Sequence, residues 1–331
     1  MKKYYRFYEC CKLVRGANRT AVYDLQRLNL YFIPNSVIEV FKDYENKGID
    51  TLFSDYSSQK EHLEKHFDYL LSSEIIFTTD NKDVFPAMSS AIEKPLYLDF
   101  LFIEIDSLQE FKKSFLENFI DNTGVEHIVI INSSNSTENL NKVLKLLNES
   151  RVKLITFISL FDDNLIKEVI ALKNKHERLK KLIFFNSPNN DITNTEDESV
   201  EYFKNDLNKL LTRRISGIKS FTLNIKAYLE SLNHNLYFNR RAYINNNGEV
   251  KPSFVHREYY GNIKDEDIKT IVFKEGFQHL WALTKDKIGV CKDCEFRYMC
   301  PDNRIPIKIE DRYIHNTDCN YSPYTNTWNE K

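Results

Sequence analysis

The chain has 331 residues, 42% of them apolar and 13% aromatic, with 46 basic against 48 acidic side chains for a net charge of −2. That composition describes a globular protein of about two or three domains and excludes a disordered chain. Charges of both signs are interspersed, which excludes the basic face that nucleic acid requires, and no apolar run is long enough for a membrane helix.

The opening MKKYYRFYECCK has two lysines but neither the apolar stretch nor the cleavage site of a signal peptide, so a cytoplasmic protein with reduced cysteines is expected. Residues 3–33 read as extended: YYRFYECCKLV, RTAVYDL and LNLYFIP are rich in Tyr, Phe, Val and Ile, with turns near Arg15–Asn18 and Arg27–Asn29. Cys10 and Cys11 are adjacent, and in a strand they would point to opposite faces, so they read as structural thiols that do not share a metal. Pro34-Asn35-Ser36 then opens a helix over Val37–Tyr44 that Gly48 closes. A short helix follows at Asp50–Phe53, and a third opens at Ser57-Ser58, with Leu63, Phe67, Leu70 and Leu71 at helical spacing. His62 and His66 lie at i, i+4 without a third ligand in register and read as a solvated face. Glu74–Thr79 reads as a further strand. Three strands, three helices and a strand thus account for residues 1–90, the expected first domain.

From Lys94 the pattern changes to alternation of strands (Leu96–Ile105, His127–Asn132, Lys153–Ser159, Lys181–Asn186, Ser220–Ile225) with helices (Leu108–Phe119, Glu138–Leu147, Asn164–Leu172). Short apolar strands separated by helices imply parallel β/α units, a partial barrel over residues 91–230. Ser187–Glu198 is polar and reads as a loop. The eight glycines are never spaced for G-x-G-x-x-G or a P-loop, which argues against a nucleotide-hydrolysing or Rossmann enzyme.

The densest chemistry lies in residues 231–331. Cys291, Cys294, Cys300 and Cys319 are four of the six cysteines in the chain. A C-x2-C pair lets two thiolates reach one metal from a single turn, and two further cysteines can complete the set. Spacing alone leaves zinc and an iron–sulfur cluster equally open, with His315 as a neighbour that could replace a thiolate. Disulfides are the competing reading, disfavoured in a large chain with no export signal. Arg297 and Arg304 flank the loop as charge partners for a tetrathiolate or for nearby acids.

The run GNIKDEDIKTIVFKEGFQHLWALTKDKIGVCKDCEFRYMCP, from Gly261 to Pro301, resembles a SPASM domain, the auxiliary-cluster module of many radical S-adenosylmethionine peptide maturases. The resemblance implies that Cys291, Cys294, Cys300 and Cys319 hold one auxiliary [4Fe-4S] cluster. Gly248 fits the family's upstream glycine, but Ser253 and Arg304 stand where further cysteines belong, which implies loss of the other auxiliary cluster. The wording of the tail, GVCKDCEFRYMCPDNR, is similar to peptide maturases of grasp-with-spasm systems, which accompany an ATP-grasp ligase. The N-terminal order resembles the winged-helix element that binds leader peptides. It implies strand addition of a leader at Tyr31, Phe32 and Ile33, with side chains in a groove beside Lys60, Leu63 and Phe67. No C-x3-C-x2-C follows the first barrel strand, so the expectation is a degenerate radical-enzyme barrel with no S-adenosylmethionine. The implied function is an accessory maturation protein that binds a precursor leader peptide and an ATP-grasp ligase. The alternatives are a redox enzyme that uses the surviving cluster in peptide oxidation, and a zinc-stabilised binding module without catalysis.

Overall fold

The computed structural model describes residues 3–81, 86–91, 97–104, 123–133, 137–189 and 200–329. The first unit begins with β1 (Tyr4–Phe7), then an antiparallel sheet β2 (Cys11–Arg15), β3 (Arg19–Asp24) and β4 (Asn29–Pro34) in that spatial order. Three helices follow, α1 (Asn35–Tyr44), α2 (Ile49–Asp55) and α3 (Lys60–Ser72), and β5 (Ile76–Thr79) returns to pair antiparallel with β1. The expected order is present with one strand more, because the tyrosine-rich opening breaks at a turn after Phe7. Each helix turns one stripe inward: Val37, Ile38 and Phe41 from α1, Leu52 from α2, and Leu63, Phe67 and Leu70 from α3. These side chains close a core over Tyr5, Val22, Ile33 and Ile76.

The second unit is built on an open sheet. Strands β6 (Phe100–Glu104), β7 (His127–Asn132), β8 (Leu154–Leu160), β9 (Leu179–Phe185) and β10 (Val200–Tyr202) run parallel and in sequence order. On the far side of β6 comes β11 (Arg241–Ile244), also parallel, then antiparallel β12 (Glu249–Lys251) and β13 (Gly261–Asn262). Helices α4 (Glu138–Asn148) and α5 (Asp163–Lys175) connect the parallel strands. The start of α5 is fixed by Asp162, whose carboxylate accepts the amides of Asn164 at 3.0 Å and Leu165 at 2.9 Å. The near-continuous apolar runs of β7 and β8 follow from cover on both faces.

One expectation is corrected here. Ser220–Ile225 is not a strand: residues 218–220 form a 3-10 turn, and α7 (Ile225–Ser231) begins at its end, after short helix α6 (Leu207–Leu211). Phe221 and Leu223 are apolar because they pack on Phe296 and its neighbours in the cysteine-rich tail, not because they enter a sheet. The sheet continues past residue 230, as β11 to β13 extend it beyond β6. Helix α8 (Ile268–Val272) buries Ile268, Ile271 and Val272 in the same core as Leu101, Ile128 and Phe157. The expected helix over Leu108–Phe119 lies outside the described residues, as does most of the Ser187–Glu198 loop. Hairpins β14 (Ile307–Ile309) with β15 (Arg312–Ile314), and β16 (Tyr321–Ser322) with β17 (Thr327–Trp328), finish the chain. Among the described residues, no helix is long and apolar enough to cross a membrane.

Candidate metal centre and peptide groove

Cys291 opens a single 3-10 turn over residues 291–293, Cys294 closes it, and a second turn over residues 297–299 delivers Cys300. Cys319 arrives from the segment just before β16. The loop is held by backbone bonds: Cys294 N donates to Cys291 O at 3.1 Å, and Gly289 N donates to Tyr313 O on β15 at 2.7 Å. Val290 precedes the first cysteine at φ +64°, a left-handed conformation that a β-branched residue adopts only under constraint. Phe296 is fully buried between the cysteines and stacks on Phe221 with ring centroids 4.7 Å apart.

All six cysteines are free thiols. Those of the tail lie near enough to influence one another's ionisation. Burial raises the pKa of Cys291, Cys294 and Cys300; Cys319 adds to the rise at Cys291 and Cys300, and Cys300 and Cys291 add to that at Cys294. Phe296 N already donates to Cys294 Sγ at 3.4 Å. Two cations face the group. Lys285 opposes the rise at Cys291 and Cys300, and Arg304 opposes it at Cys291. Buried thiols beside fixed positive charge are a donor set that a metal centre would hold as thiolates.

A zinc tetrathiolate with Zn–S near 2.3 Å needs sulfurs about 3.8 Å apart. Among the described residues, the groups with three donors inside 4.8 Å are Cys10–Cys11–Asp24 and Cys291–Asp302–His315, and no three of the tail cysteines form one. The tail set is therefore spread more widely than a single zinc ion demands. The Cys291–Asp302–His315 group is not free to take a cation. Asp302 Oδ2 already receives Lys285 Nζ at 3.1 Å and Arg304 Nη2 at 2.8 Å, with His315 Nε2 at 3.3 Å. Burial, then the Lys285 charge, push the His315 imidazole down to about 4 and keep it neutral. Arg304 thus serves Asp302, while Arg297 pairs with Asp286 at 2.9 Å. Ser253, at the other position where the SPASM pattern has cysteine, is buried and bonded to His256 Nδ1 at 2.8 Å.

The β2–β3 hairpin sits directly on this loop. Ala17 N donates to Asp293 O at 2.8 Å, Arg297 Nη1 to Arg15 O at 2.7 Å, and Tyr23 Oη to Glu295 O at 2.6 Å. Arg19 Nε meets the fully buried Glu295 carboxylate at 2.7 Å. Gly16 permits the approach: a Cβ there would lie 2.9 Å from Glu295 Cβ. Sequence reasoning missed this docking, because nothing local in either segment announces the other.

Of the residues expected at a peptide groove, some line a surface cleft and others lie in the core. Among the described residues β4 pairs with β3 alone, so it is an edge. A cleft of about 440 Å³ runs between it and α3, lined by Phe32, Ile33, Pro34, His62, Lys65, His66 and Tyr69. Leu63 and Phe67 are buried in the domain core, as is most of Ile33, so Leu63 and Phe67 do not face a ligand. Tyr31 also packs against that core. Lys60 is exposed and pairs with Glu64 at 3.6 Å. The groove face of α3 is the stripe His62, Lys65, His66 and Tyr69, legible as i, i+3, i+4, i+7 but polar enough to pass for a solvated face.

Cys10 and Cys11 also depart from expectation. Cys10 lies in a turn closed by Cys11 N donating to Tyr8 O at 2.9 Å, outside the alternation of β2, and both thiols come together with Asp24. A further cleft of about 390 Å³ lies at the C-terminal ends of β6 and β11, between Glu104, Tyr243, Lys251 and Phe254. Open α/β sheets place ligands at such strand ends, and no motif marked these residues in advance.

Comparison with known proteins agrees with the tail. Residues 237–295 match the SPASM family model, an iron–sulfur cluster-binding domain, so this stretch, with Cys291 and Cys294, is a SPASM domain. No curated protein matches the chain. Among solved structures, BtrN in complex with AdoMet and 2-DOIA is 13% identical, over 65% of this chain and 98% of its own, with a TM-score of 0.37. Streptococcus suis SuiB bound to S-adenosylmethionine is 10% identical, over 90% of this chain and 94% of its own, with a TM-score of 0.33. SuiB bound to precursor peptide SuiA is 9% identical over the same shares, also at 0.33.

Proposed function

We propose that this protein is an accessory maturation factor for a ribosomally made peptide, built around one [4Fe-4S] cluster held by Cys291, Cys294, Cys300 and Cys319. What supports the reading is the set of four free thiols, three in one loop and Cys319 beyond it, with the charges of Lys285 and Arg304 acting on them and a SPASM match that ends at residue 295. When bound, the cluster supplies a rigid four-way crosslink between loop and tail, and a one-electron centre. This chain's residues shield it: Phe296 and Tyr321 close one side, and the β2–β3 hairpin covers the loop.

The first 90 residues act in this proposal as a winged-helix leader-binding domain. An extended leader adds a strand along β4, and its side chains enter the cleft between Phe32 and the His62–Tyr69 stripe. Residues 91–230 are the reduced barrel and residues 231–331 the cluster domain, joined by one sheet. The partner of the system is an ATP-grasp ligase, as the wording of the cysteine tail suggests. Cleavage of S-adenosylmethionine is left out because no cysteine lies between Cys11 and Cys291 to form C-x3-C-x2-C. The test is co-purification of the anaerobically prepared protein with its genomically neighbouring precursor peptide and ligase. Retention of both supports the reading, and binding to neither ends it.

A further inference from the structure

Outside the tail, one cluster of metal-binding side chains stands apart. Cys10 Sγ, Cys11 Sγ and an Asp24 carboxylate oxygen lie within 4.8 Å of one another. Cys11 is 4% exposed and Asp24 fully buried. The backbone sets this arrangement: Cys11 faces Asp24 in the β2–β3 register, and Leu25 N donates to Cys10 O at 2.9 Å, folding the turn back over the strand pair.

Three features separate this group from Cys291–Asp302–His315. Two of its three donors are thiols, the softest ligands a protein offers. Asp24 keeps accepting capacity: Oδ1 takes the amides of Gln26 and Arg27 at 3.1 and 2.9 Å, while Oδ2 takes Arg27 Nη1 alone, at 3.1 Å. The charges also balance. Two thiolates and a carboxylate carry three negative charges, Arg27 returns one, and a divalent cation neutralises the rest. An entry path exists as well, because Cys10 lines a cleft of about 380 Å³ with Tyr8, Phe77 and Pro86.

We propose that Cys10, Cys11 and Asp24 form a second metal site that takes a thiophilic divalent cation such as Zn2+, with two thiolates and one carboxylate oxygen as ligands and the fourth position left to water. The site is independent of the tail cluster. It would tie the turn before β2 to the end of β3, beside Glu74, whose carbonyl gives up the Cys11 S–H it accepts at 3.8 Å in the metal-free protein.

The probe is Cd2+, which reports thiolate ligation by charge-transfer absorption. It is added to the full-length, cluster-loaded protein in reducing buffer, and bound metal is counted after desalting. Wild type is expected to hold one equivalent more than Cys10→Ser, and Cys10→Ser to keep its circular dichroism, since Cys10 is only half-buried. Asp24→Asn is expected to weaken binding at least tenfold. Equal uptake by wild type and Cys10→Ser overturns the proposal. So does a wild-type mass two hydrogens low, with Cys10 and Cys11 joined and no cadmium taken up.

Discussion

Lys285 Nζ lies 3.1 Å from Asp302 Oδ2, with the two side chains only 2% and 3% exposed, directly behind the tail cysteines. The pair is asymmetric. Asp302 also holds Arg304 and approaches His315, whereas the Lys285 ammonium is bonded to Asp302 alone among the described side chains. Asp302→Asn therefore strands a buried cation and is expected to destabilise by about 3–5 kcal/mol, with Lys285→Met costing less. Urea midpoints of the two variants check the order. The pair is insensitive to pH near neutrality. Burial opposes ionisation of Asp302, but Lys285 and Arg304 hold its carboxyl below the usual range, so its contribution is lost only as pH falls through that depressed value. Burial likewise opposes the Lys285 charge, but Asp302 raises its pKa, so its contribution is lost only as pH rises above the usual ammonium range.

Acid sensitivity should come instead from half-buried imidazoles. Burial first, then Arg241 and Lys181, push His127 down to about 4; burial and Lys251 do the same to His256. Between about pH 6.5 and 4 the unfolded chain binds protons that the folded one refuses, so stability falls as pH drops through that window and is unaffected above it. Each imidazole should contribute on the order of 1–2 kcal/mol of that loss by pH 4.5. His127→Gln should flatten the midpoint-versus-pH curve, and an unchanged slope would remove His127 from the account.

Gly16→Val tests the docking of the N-terminal hairpin on the cysteine loop. Its side chain would enter the space held by Glu295, 2.9 Å from the glycine's ideal Cβ position, and separate Arg19 from a buried carboxylate. We expect faster loss of metal to chelators, by tenfold or more, with far-ultraviolet circular dichroism little changed. Chelation at the wild-type rate would mean that the hairpin does not guard the loop.

Groove and core variants of α3 should behave differently. Tyr69→Ala, at a 42% exposed groove position, should weaken leader binding about tenfold with a small effect on stability. Leu63→Ala, nearly two helical turns nearer the N-terminus and 3% exposed, should cost about 2–5 kcal/mol of folding stability. Titration of a fluorescent leader peptide together with melting curves separates the two.

The parts read correctly from sequence were those fixed locally. His127–Asn132 has the expected bounds, because the apolar run Ile128–Ile131 between polar His127 and Asn132 leaves little choice. The spacing of Cys291, Cys294 and Cys300 likewise placed all three on two successive turns of one loop. What stayed hidden was non-local. Arg241–Ile244 completes the sheet against Phe100–Ile103, some 140 residues earlier, and no periodicity records that pairing. Ser220–Ile225 looked like a strand because Phe221 and Leu223 alternate with polar residues, yet their partners are Phe296 and Trp328. The Cys10–Cys11 pair was misjudged because strand alternation was assumed one residue too early, across a turn.

The decisive measurement is iron and acid-labile sulfide per chain in anaerobically purified protein, alongside Cys294→Ser and Cys319→Ser. The proposed cluster requires about four of each in wild type and loss of both in either variant, with reduced solubility because metal binding and folding are coupled. Zinc in place of iron, or full iron and sulfide in Cys319→Ser, would contradict it.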